Sequence, residues 1–235
     1  MFERDYLELL GFVERDEYGH RLEAFLAERE GPMSVAFAPE RDTASTRAAL
    51  AAVGLHPSEP RALGRALELP EGDAMPRFSL LNLPPEETPG LDCFVCGHLT
   101  PELVRRSEWL AHANGVTGIK AVHLLADDPA ALAPAYRQLF GEGRVRINID
   151  SMAVDTERNV LSFTTPDAFR NSYPVLKLGS FSMPVIAALE LSVTSREQSV
   201  TYFQQAQIGF IELFDGRLAV PAGEANGTTA LFAMG

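Results

Sequence analysis

Apolar residues along the chain are concentrated in three short runs, each followed by a longer segment with apolar residues at helical spacing. Runs this short and this apolar suit strands that are buried on at least one face. The pattern therefore predicts a strand followed by a helix three times. The strand segments are MSVAFA (33–38), GIKAVHLLA (118–126) and IAALELSV (186–193), and the helix segments are 42–54, 127–141 and 194–209.

The ends of the three helical segments carry matching signals. Each segment opens with side chains that can accept a hydrogen bond from the first helical N–H groups: Asp42, Asp127 or Asp128, and Thr194 or Ser195. Each closes on a residue that readily takes the left-handed conformation that ends a helix: Gly54, Gly141 and Gly209. Counting back twenty residues from each glycine reaches Ser34, Ala121 and Leu189. Equal internal spacing indicates a repeated unit.

The remainder of each unit is predicted to form short antiparallel strands. Asp215-Gly216 lies between the apolar runs 211–214 and 217–220 and predicts a hairpin with a two-residue turn. The other predicted strands are 77–83 and 91–97 in the first unit, and 144–149, 152–154 and 159–165 in the second. Segments rich in proline and glycine, 55–76 and 166–185, are predicted loops, and 98–117 links the two halves.

The first residues of the chain do not begin a unit. FERDYLELLGF (2–12) is typical of a last strand that has no strand and helix before it. The sequence therefore predicts an α+β protein with three units and a leading fragment. We expect an N-terminal half at 1–115, with an apparently truncated first module, and a C-terminal half of two modules at 116–235.

The charge of the chain excludes several classes of partner. Thirty-two acidic and twenty basic side chains give a formal net charge of −12 over 235 residues. We therefore expect no binding to nucleic acid or to anionic membranes. The N-terminus lacks the pattern of a signal peptide, and no apolar run has the roughly 20 residues that span a bilayer. A cytoplasmic location is predicted.

The cysteines indicate neither a disulfide framework nor a zinc site. Cys93 and Cys96 are the only two in the sequence. On a strand, a separation of three residues places their side chains on opposite faces. They are predicted to be structural.

Three motifs give the sequence a family resemblance. DYLELLG (5–11), HLTPELV (98–104) and EWLAHANG (108–115), together with the repeated strand–helix–strands plan, resemble the glyoxalase-like branch of the vicinal oxygen chelate superfamily. The resemblance implies βαβββ modules that form half-open, cup-shaped mixed sheets. It also implies a divalent metal in many members, held by a histidine on the first strand and a glutamate on the last strand of a module.

Most of the metal-ligand positions implied by the resemblance hold other residue types. The first-strand histidine corresponds to Ser34, Ala121 and Leu189, and alanine and leucine carry no donor atom. The last-strand glutamate corresponds to Glu8, but to Ser162 in the second module, and TTALFA (228–233) has no carboxylate. We expect no tightly bound transition metal in the C-terminal half. A divalent metal in the N-terminal half would use Glu8 and His98.

Glu8 and His98 are also the candidates for catalysis. His98 follows the strand 91–97, where an imidazole could bind an oxygen-rich substrate, serve in acid–base chemistry or complete a metal site with Glu8. The alternative is that His98 caps the segment beginning at Pro101. Glu8 would act as a general base if it faced the cup, because burial raises a carboxyl pKa. Otherwise it lies on the solvent face of its strand.

The other candidate ligand-binding residues are Trp109, His112 and His123. Trp109 and His112 could form one wall of a ligand site, or could fix the linker between the halves. His123 has the same strand parity as Ala121 and could reach into a cup, or could be a satisfied core residue.

Three functions are compatible with these residues. The first is a glyoxalase-like lyase, isomerase or dioxygenase that acts on a small oxygenated molecule. The second is a metal-free protein that binds or sequesters a small molecule on the same scaffold. The third is association with another protein.

The odd number of modules predicts a homodimer. The unit at 33–97 has only the strand expected at 5–10 beside it, so an edge and an apolar face would meet water. A second copy could cover them near Glu8 and His98. The rival explanation is that Met1 is not the natural start and that an upstream strand and helix fill the gap.

Overall fold

The structure is a computed structural model and describes residues 1–11, 17–179 and 182–235. Helix α1 (Glu17–Glu28) comes first and was not predicted from the sequence. The first module consists of β1 (Val35–Phe37), α2 (Thr43–Ala52), β2 (Arg61–Gly64), β3 (Arg77–Asn82) and β4 (Cys93–His98). The second module consists of β5 (Val116–Leu125), α3 (Ala133–Phe140), β6 (Val145–Ile147), β7 (Ser151–Asp155) and β8 (Val160–Thr164). Helix α4 (Pro166–Ser172) follows, and the third module consists of β9 (Val185–Val193), α5 (Arg196–Gln205), β10 (Ile211–Glu212), β11 (Leu218–Val220) and β12 (Thr229–Met234).

Each module has the same strand topology. The first strand pairs parallel with the last strand. The last strand pairs antiparallel with the third, which in turn pairs antiparallel with the second. The first module forms a four-stranded sheet in the order β1-β4-β3-β2. The second and third modules share an eight-stranded sheet, because their first strands β5 and β9 pair antiparallel. The α+β class, the βαβββ repeat and the open mixed sheets are confirmed.

Local capping explains where the helices begin and end. The carboxylate of Asp42 accepts a hydrogen bond from Ser45 N at 2.7 Å, and the hydroxyl of Ser195 accepts one from Gln198 N at 3.2 Å. Of the two aspartates ahead of the second helix, Asp128 accepts a hydrogen bond from Ala131 N in the 3-10 turn Ala130–Leu132, which leads into α3. Gly54 and Gly141 take positive φ angles of 84° and 95°, as predicted.

The role predicted for Gly209 is wrong. Helix α5 ends at Gln205, and Gln207 takes the positive φ angle of 57°. Ile208 N then donates to the carbonyl of Phe203, which closes the helix two residues earlier than the glycine signal indicates. A glycine near a helix end permits the left-handed turn but does not fix its position.

Several strand and loop predictions also need correction. Residues 5–10 form no strand, and residue 12 lies outside the described residues. The hairpin around Asp215 closes through Leu213 N and the Arg217 carbonyl, so its turn is wider than two residues. The predicted loop 55–76 contains β2, and 166–185 contains α4, which begins where Thr165 accepts a hydrogen bond from Ala168 N.

The first and second modules share a hydrophobic core. Tyr136 and Phe163 are 1% and 0% exposed, and their ring centroids lie 4.9 Å apart. The Tyr136 hydroxyl donates to the Pro89 carbonyl, and Phe37 of β1 packs on Phe140 of α3. One face of the four-stranded sheet is therefore covered by helices. The boundary between residues 115 and 116 stays a prediction.

Both cysteines are free and buried in the described structure. Cys93 belongs to the core shared with the second module, whereas Cys96 faces the N-terminal segment through Tyr6. None of the helices in the described ranges has the length and apolar character needed to cross a membrane.

Replacement of Gly227 by alanine should destabilise the fold more than replacement of Gly216. Both glycines have positive φ, which costs an alanine about 1–2 kcal/mol. A Cβ at Gly227 would also lie 2.5 Å from the backbone oxygen of Glu30, whereas a Cβ at Gly216 would meet no atom within 4 Å. Urea unfolding of the two variants measures the difference. Equal losses of stability would show that the backbone at Glu30 moves away without cost.

Candidate functional site

Side chains, not sheet pairing, fix the N-terminal segment. The Arg105 guanidinium donates to the carbonyl of Phe2 at 3.0 Å and makes two similar bonds, to the carbonyls of Glu3 and Arg4. The Asp5 carboxylate accepts a hydrogen bond from Ile119 N of β5 at 3.1 Å. These contacts hold the residues that follow beside β4.

His98 lies at the end of β4 between two aromatic rings. The Tyr6 ring is 5.5 Å from the imidazole and the Phe78 ring is 4.9 Å from it, both in edge-to-face arrangements. Phe78 is the register partner of His98 on β3, so the two side chains share one face of the four-stranded sheet. The imidazole is half-buried, and its Nδ1 atom is buried without a hydrogen-bond partner among the described residues.

The environment of His98 favours neutral side chains. Burial, assisted by the positive charge of Arg105, lowers the pKa of His98. Burial raises the pKa of Cys96 to about 11, and burial also raises the pKa of Tyr6. Near neutral pH the site therefore presents an uncharged imidazole, a thiol and a phenol. The imidazole can both donate and accept a hydrogen bond.

Glu8 is exposed and acts electrostatically on two residues of this cluster. Its negative charge helps to raise the pKa of Cys96 and of Tyr6. Its carboxylate makes no contact with His98 that would complete a two-residue site in the described structure. The prediction that Glu8 and His98 act together therefore stays a prediction.

The donor set around His98 does not fit a divalent metal. Catalytic metal sites commonly use three protein ligands. The described residues contain no group of three or more histidine, cysteine, aspartate or glutamate side chains that could hold a metal ion. The Cys96 thiol keeps its proton at neutral pH, and Arg105 adds positive charge nearby.

His112 contacts the N-terminal segment, whereas Trp109 contacts Arg106 within the linker. His112 Nε2 donates to the Met1 carbonyl at 2.7 Å, and its ring lies edge-on to Phe2 at 5.0 Å. Trp109 is half-buried under the guanidinium of Arg106 at 5.3 Å. For both residues, the role in ligand binding and the role in fixing the linker stay predictions.

His123 belongs to a separate, buried charge cluster on the eight-stranded sheet. Its Nε2 atom is 3.3 Å from Oε2 of Glu190, and Arg217 donates to the same oxygen at 2.8 Å. Lys120 lies 3.4 Å from the other carboxylate oxygen of Glu190. The Glu190 and His123 side chains are 10% and 12% exposed.

The side chains around Glu190 disfavour the binding of a metal ion to its carboxylate. The hydrogen bond from His123 lowers the pKa of Glu190 to about 2, and the charges of Arg217 and Lys120 act in the same direction. Arg217 is held in turn by Asp215 at 2.6 Å and lies 5.2 Å over the Tyr173 ring. Three cationic or hydrogen-bonding side chains thus satisfy the carboxylate and would repel a metal cation.

The structure also changes which residues occupy equivalent positions. His123 and Glu190 each lie five residues before the cap of the following helix, Asp128 and Ser195. Counting back from the glycines instead pairs Ala121 with Leu189, a register one residue away from the one that these caps give. The register partner of His123 on the last strand is Ser162, and that of Glu190 is Leu231.

The residues that sequence reasoning missed are Tyr6, Arg105, Glu190 and Arg217. Only Glu190 carried a local signal, because it is an acid within the apolar run 186–193. The bond from Arg105 to the Phe2 carbonyl spans 103 residues of chain, and the bond from Arg217 to Glu190 spans 27. No spacing rule connects residues at such separations.

The fold is found in other solved structures. A hypothetical protein from Staphylococcus aureus matches with a TM-score of 0.57 at 7% identity, over 86% of this chain and 65% of its own. The chain thus spans less than two thirds of that protein. At this identity the likeness concerns the fold alone.

Two further solved structures are much more distant. Methylmalonyl-CoA epimerase from Mycobacterium tuberculosis matches with a TM-score of 0.37 at 11% identity, over 52% of this chain and 91% of its own. Lactoylglutathione lyase from Agrobacterium tumefaciens matches with a TM-score of 0.24 at 16% identity, over 51% of this chain and 94% of its own. Both likenesses are too low to define the fold.

The family assignment rests on the sequence of the N-terminal segment, the first module, and the first strand and helix of the second. No curated protein sequence matches the chain. The glyoxalase-like domain, in contrast, matches residues 1–140, which include the N-terminal segment, the first module and the cluster around His98. That match covers more than half of the 235 residues. The chain belongs to the glyoxalase-like domain family.

Proposed function

We propose that this glyoxalase-like protein binds a small oxygenated molecule on the open face of the four-stranded sheet, with His98 as the polar anchor and without a metal ion. The observation that carries the proposal is the buried Nδ1 atom of His98, which lacks a partner among the described residues. A buried polar atom without a hydrogen bond costs about 1–3 kcal/mol. A ligand oxygen that reached this nitrogen would offset that cost.

The comparison with the Glu190 cluster supports this choice of site. The carboxylate of Glu190 has partners on both of its oxygens, and its guanidinium partner is held by a second carboxylate. That cluster is satisfied within the protein and therefore suits a structural role. His98 is the reverse case: the Tyr6 and Phe78 rings pack against the imidazole, but neither residue hydrogen-bonds its Nδ1 atom.

The residues around His98 indicate the class of ligand. Tyr6 and Phe78 offer apolar ring surface, and the neutral imidazole supplies one donor and one acceptor. Ligand sites generally combine an apolar wall with a few polar groups that orient the molecule. A small molecule with a hydroxyl or carbonyl oxygen on an apolar body fits this combination. Tyr6 lies on a segment without helix or strand, so its ring can move aside with little loss of backbone hydrogen bonding.

Binding can be tested with three probes: catechol, lactate and pyruvate. We expect at least one to shift the imidazole signals of His98 in NMR spectra of the labelled protein, and His98→Ala to lose at least tenfold in affinity for it. His56→Ala is the matched control, because the His56 side chain is 82% exposed on the same module. Equal affinity of His98→Ala and the wild type, or no binding of any probe, would contradict the proposal.

Metal analysis separates this proposal from the metal-dependent enzyme. We expect elemental analysis of untagged protein, purified without chelators, to find far less than one equivalent of zinc, iron or manganese. The reason is that the described residues around His98 include no set of three metal ligands, and that the Glu190 carboxylate is already bound by cationic or hydrogen-bonding side chains. One equivalent of metal that is lost in His98→Ala would favour the lyase, isomerase or dioxygenase hypothesis instead.

A further inference from the structure

Arg105 brings a positive charge close to the His98 site. It lies on the linker that follows β4, and its side chain is half-buried. Its charge helps to lower the pKa of His98 and also acts on Tyr6, whose ring packs on the imidazole. A partly buried charge acts more strongly on its surroundings than one in water. The guanidinium therefore influences any molecule that reaches His98.

The bonds that Arg105 makes within the protein use only neutral acceptors. Nη1 donates to the carbonyls of Phe2 and Glu3, each at 3.0 Å, and Nη2 donates to the carbonyl of Arg4 at 3.2 Å. In the ranges 1–11, 17–179 and 182–235, none of the ion pairs involves Arg105. The backbone carbonyls thus fix the guanidinium in place without neutralising its charge.

Two N–H groups of this guanidinium remain for a ligand. Of the five that an arginine carries, the bonds to the backbone account for two on Nη1 and one on Nη2. The N–H of Nε and the second N–H of Nη2 have no acceptor among the residues that the structure describes. Adjacent N–H groups of a guanidinium bind the two oxygens of a carboxylate in parallel.

The acidic groups nearby do not take this place. The Asp5 carboxylate, on which the charge of Arg105 acts, accepts its hydrogen bonds from Ile119 N and the Asn159 amide. Glu8 is exposed and acts on Tyr6 and Cys96. These charges and the net charge of −12 repel anions in general. An anion therefore gains most where a fixed cation offsets the repulsion.

We infer that the ligand of the His98 site is a small carboxylate, and that Arg105 is the residue that selects it. Arg105 binds the carboxylate group, and His98 hydrogen-bonds a hydroxyl or carbonyl oxygen of the same molecule. This inference rests on the proposed function and narrows its ligand from an oxygenated molecule to an anionic one. Among the three probes named above, lactate and pyruvate then bind and catechol binds more weakly.

A matched pair of ligands tests the selection without any change to the protein. Lactate and lactamide have nearly the same size and share the hydroxyl group, but only lactate is charged near neutral pH. A hydrogen bond to a charged group is stronger than one to a neutral group, so we expect lactate to bind about tenfold more tightly. NMR titration of the His98 imidazole signals measures both affinities. Added salt should weaken the binding of lactate more than that of lactamide.

Substitution of Arg105 tests which residue causes the preference. In Arg105→Gln the ratio of the two affinities should fall close to one, whereas Arg105→Lys should keep part of it because the charge remains. The ratio is the readout because loss of the bonds to residues 2–4 affects the two ligands alike. Arg61→Gln is the matched control: it removes the same charge from an exposed position on β2 of the same module. Its ratio should equal that of the wild type.

The outcomes separate this inference from the proposed function. Equal affinities of lactate and lactamide, with both lost in His98→Ala, would overturn the role of Arg105 and leave the proposed function standing. An unchanged ratio in Arg105→Gln, or binding of catechol alone, would do the same. If none of the probes binds, the proposed function and this inference are both wrong.

Discussion

Replacement of Glu190 by alanine should lower the free energy of unfolding by about 3–5 kcal/mol. The side chain is 10% exposed and accepts hydrogen bonds from Arg217 and His123, while Lys120 lies close to its other oxygen. Without the carboxylate, the Arg217, His123 and Lys120 side chains remain close together and lose the anion that they share. Urea unfolding monitored by circular dichroism measures the loss. Glu190→Gln should lose less, because the amide oxygen can still accept one of the hydrogen bonds.

Glu212→Ala is the matched control for Glu190→Ala. Glu212 lies in the same module and is paired with Arg196, but its side chain is 61% exposed. An exposed ion pair contributes about 0–1 kcal/mol, so this variant should remain close to the wild type. Similar losses in the two variants would show that the Glu190 cluster is not a special source of stability.

The same carboxylate should make the stability of the protein depend on acid pH. Its pKa is about 2 in the folded protein, below the ordinary value of 4.5. A lowered pKa means that the stabilisation is complete above about pH 4.5 and is lost as the pH falls toward 2. Over this interval the wild type should lose up to about 3 kcal/mol more than Glu190→Gln. Parallel pH profiles for the two proteins would exclude this role.

Replacement of Phe163 by alanine should lower the free energy of unfolding by about 3–5 kcal/mol. The side chain is fully buried in the core shared by the first two modules, where its ring packs on Tyr136 at 4.9 Å. Without the Phe163 ring, apolar side chains of both modules lose their packing partner, and a cavity remains. The midpoint of urea unfolding should fall, with little change in the slope of the transition.

Phe214→Ala supplies the control for the aromatic truncation. This substitution removes the same atoms as Phe163→Ala, but the Phe214 side chain is 99% exposed in the turn after β10. Its free energy of unfolding should stay within about 0.5 kcal/mol of the wild type. A large loss at Phe214 would indicate that a second molecule covers this residue.

The sequence by itself determined the repeated module. Each strand–helix step depends on signals only a few residues apart: an apolar run, a capping side chain such as Asp42 or Ser195, and apolar residues at helical spacing. The two glycines that end helices as predicted, Gly54 and Gly141, act through their own backbone angles. Such local preferences do not need the rest of the fold, and they were sufficient for the α+β class and the number of modules.

Tertiary structure decided the N-terminal segment and the sites. YLELL has the pattern of a strand, but a strand needs a neighbour to satisfy its backbone. The N-terminal segment is held instead through the carbonyls of residues 2–4 by Arg105 and through Asp5 by Ile119. His98 was a sequence candidate, but its unpartnered nitrogen depends on Tyr6 and Phe78, which the fold brings to it. Glu190 meets His123 and Arg217 across 67 and 27 residues of chain. Contacts at such separations follow from strand order and register, which side-chain periodicity does not encode.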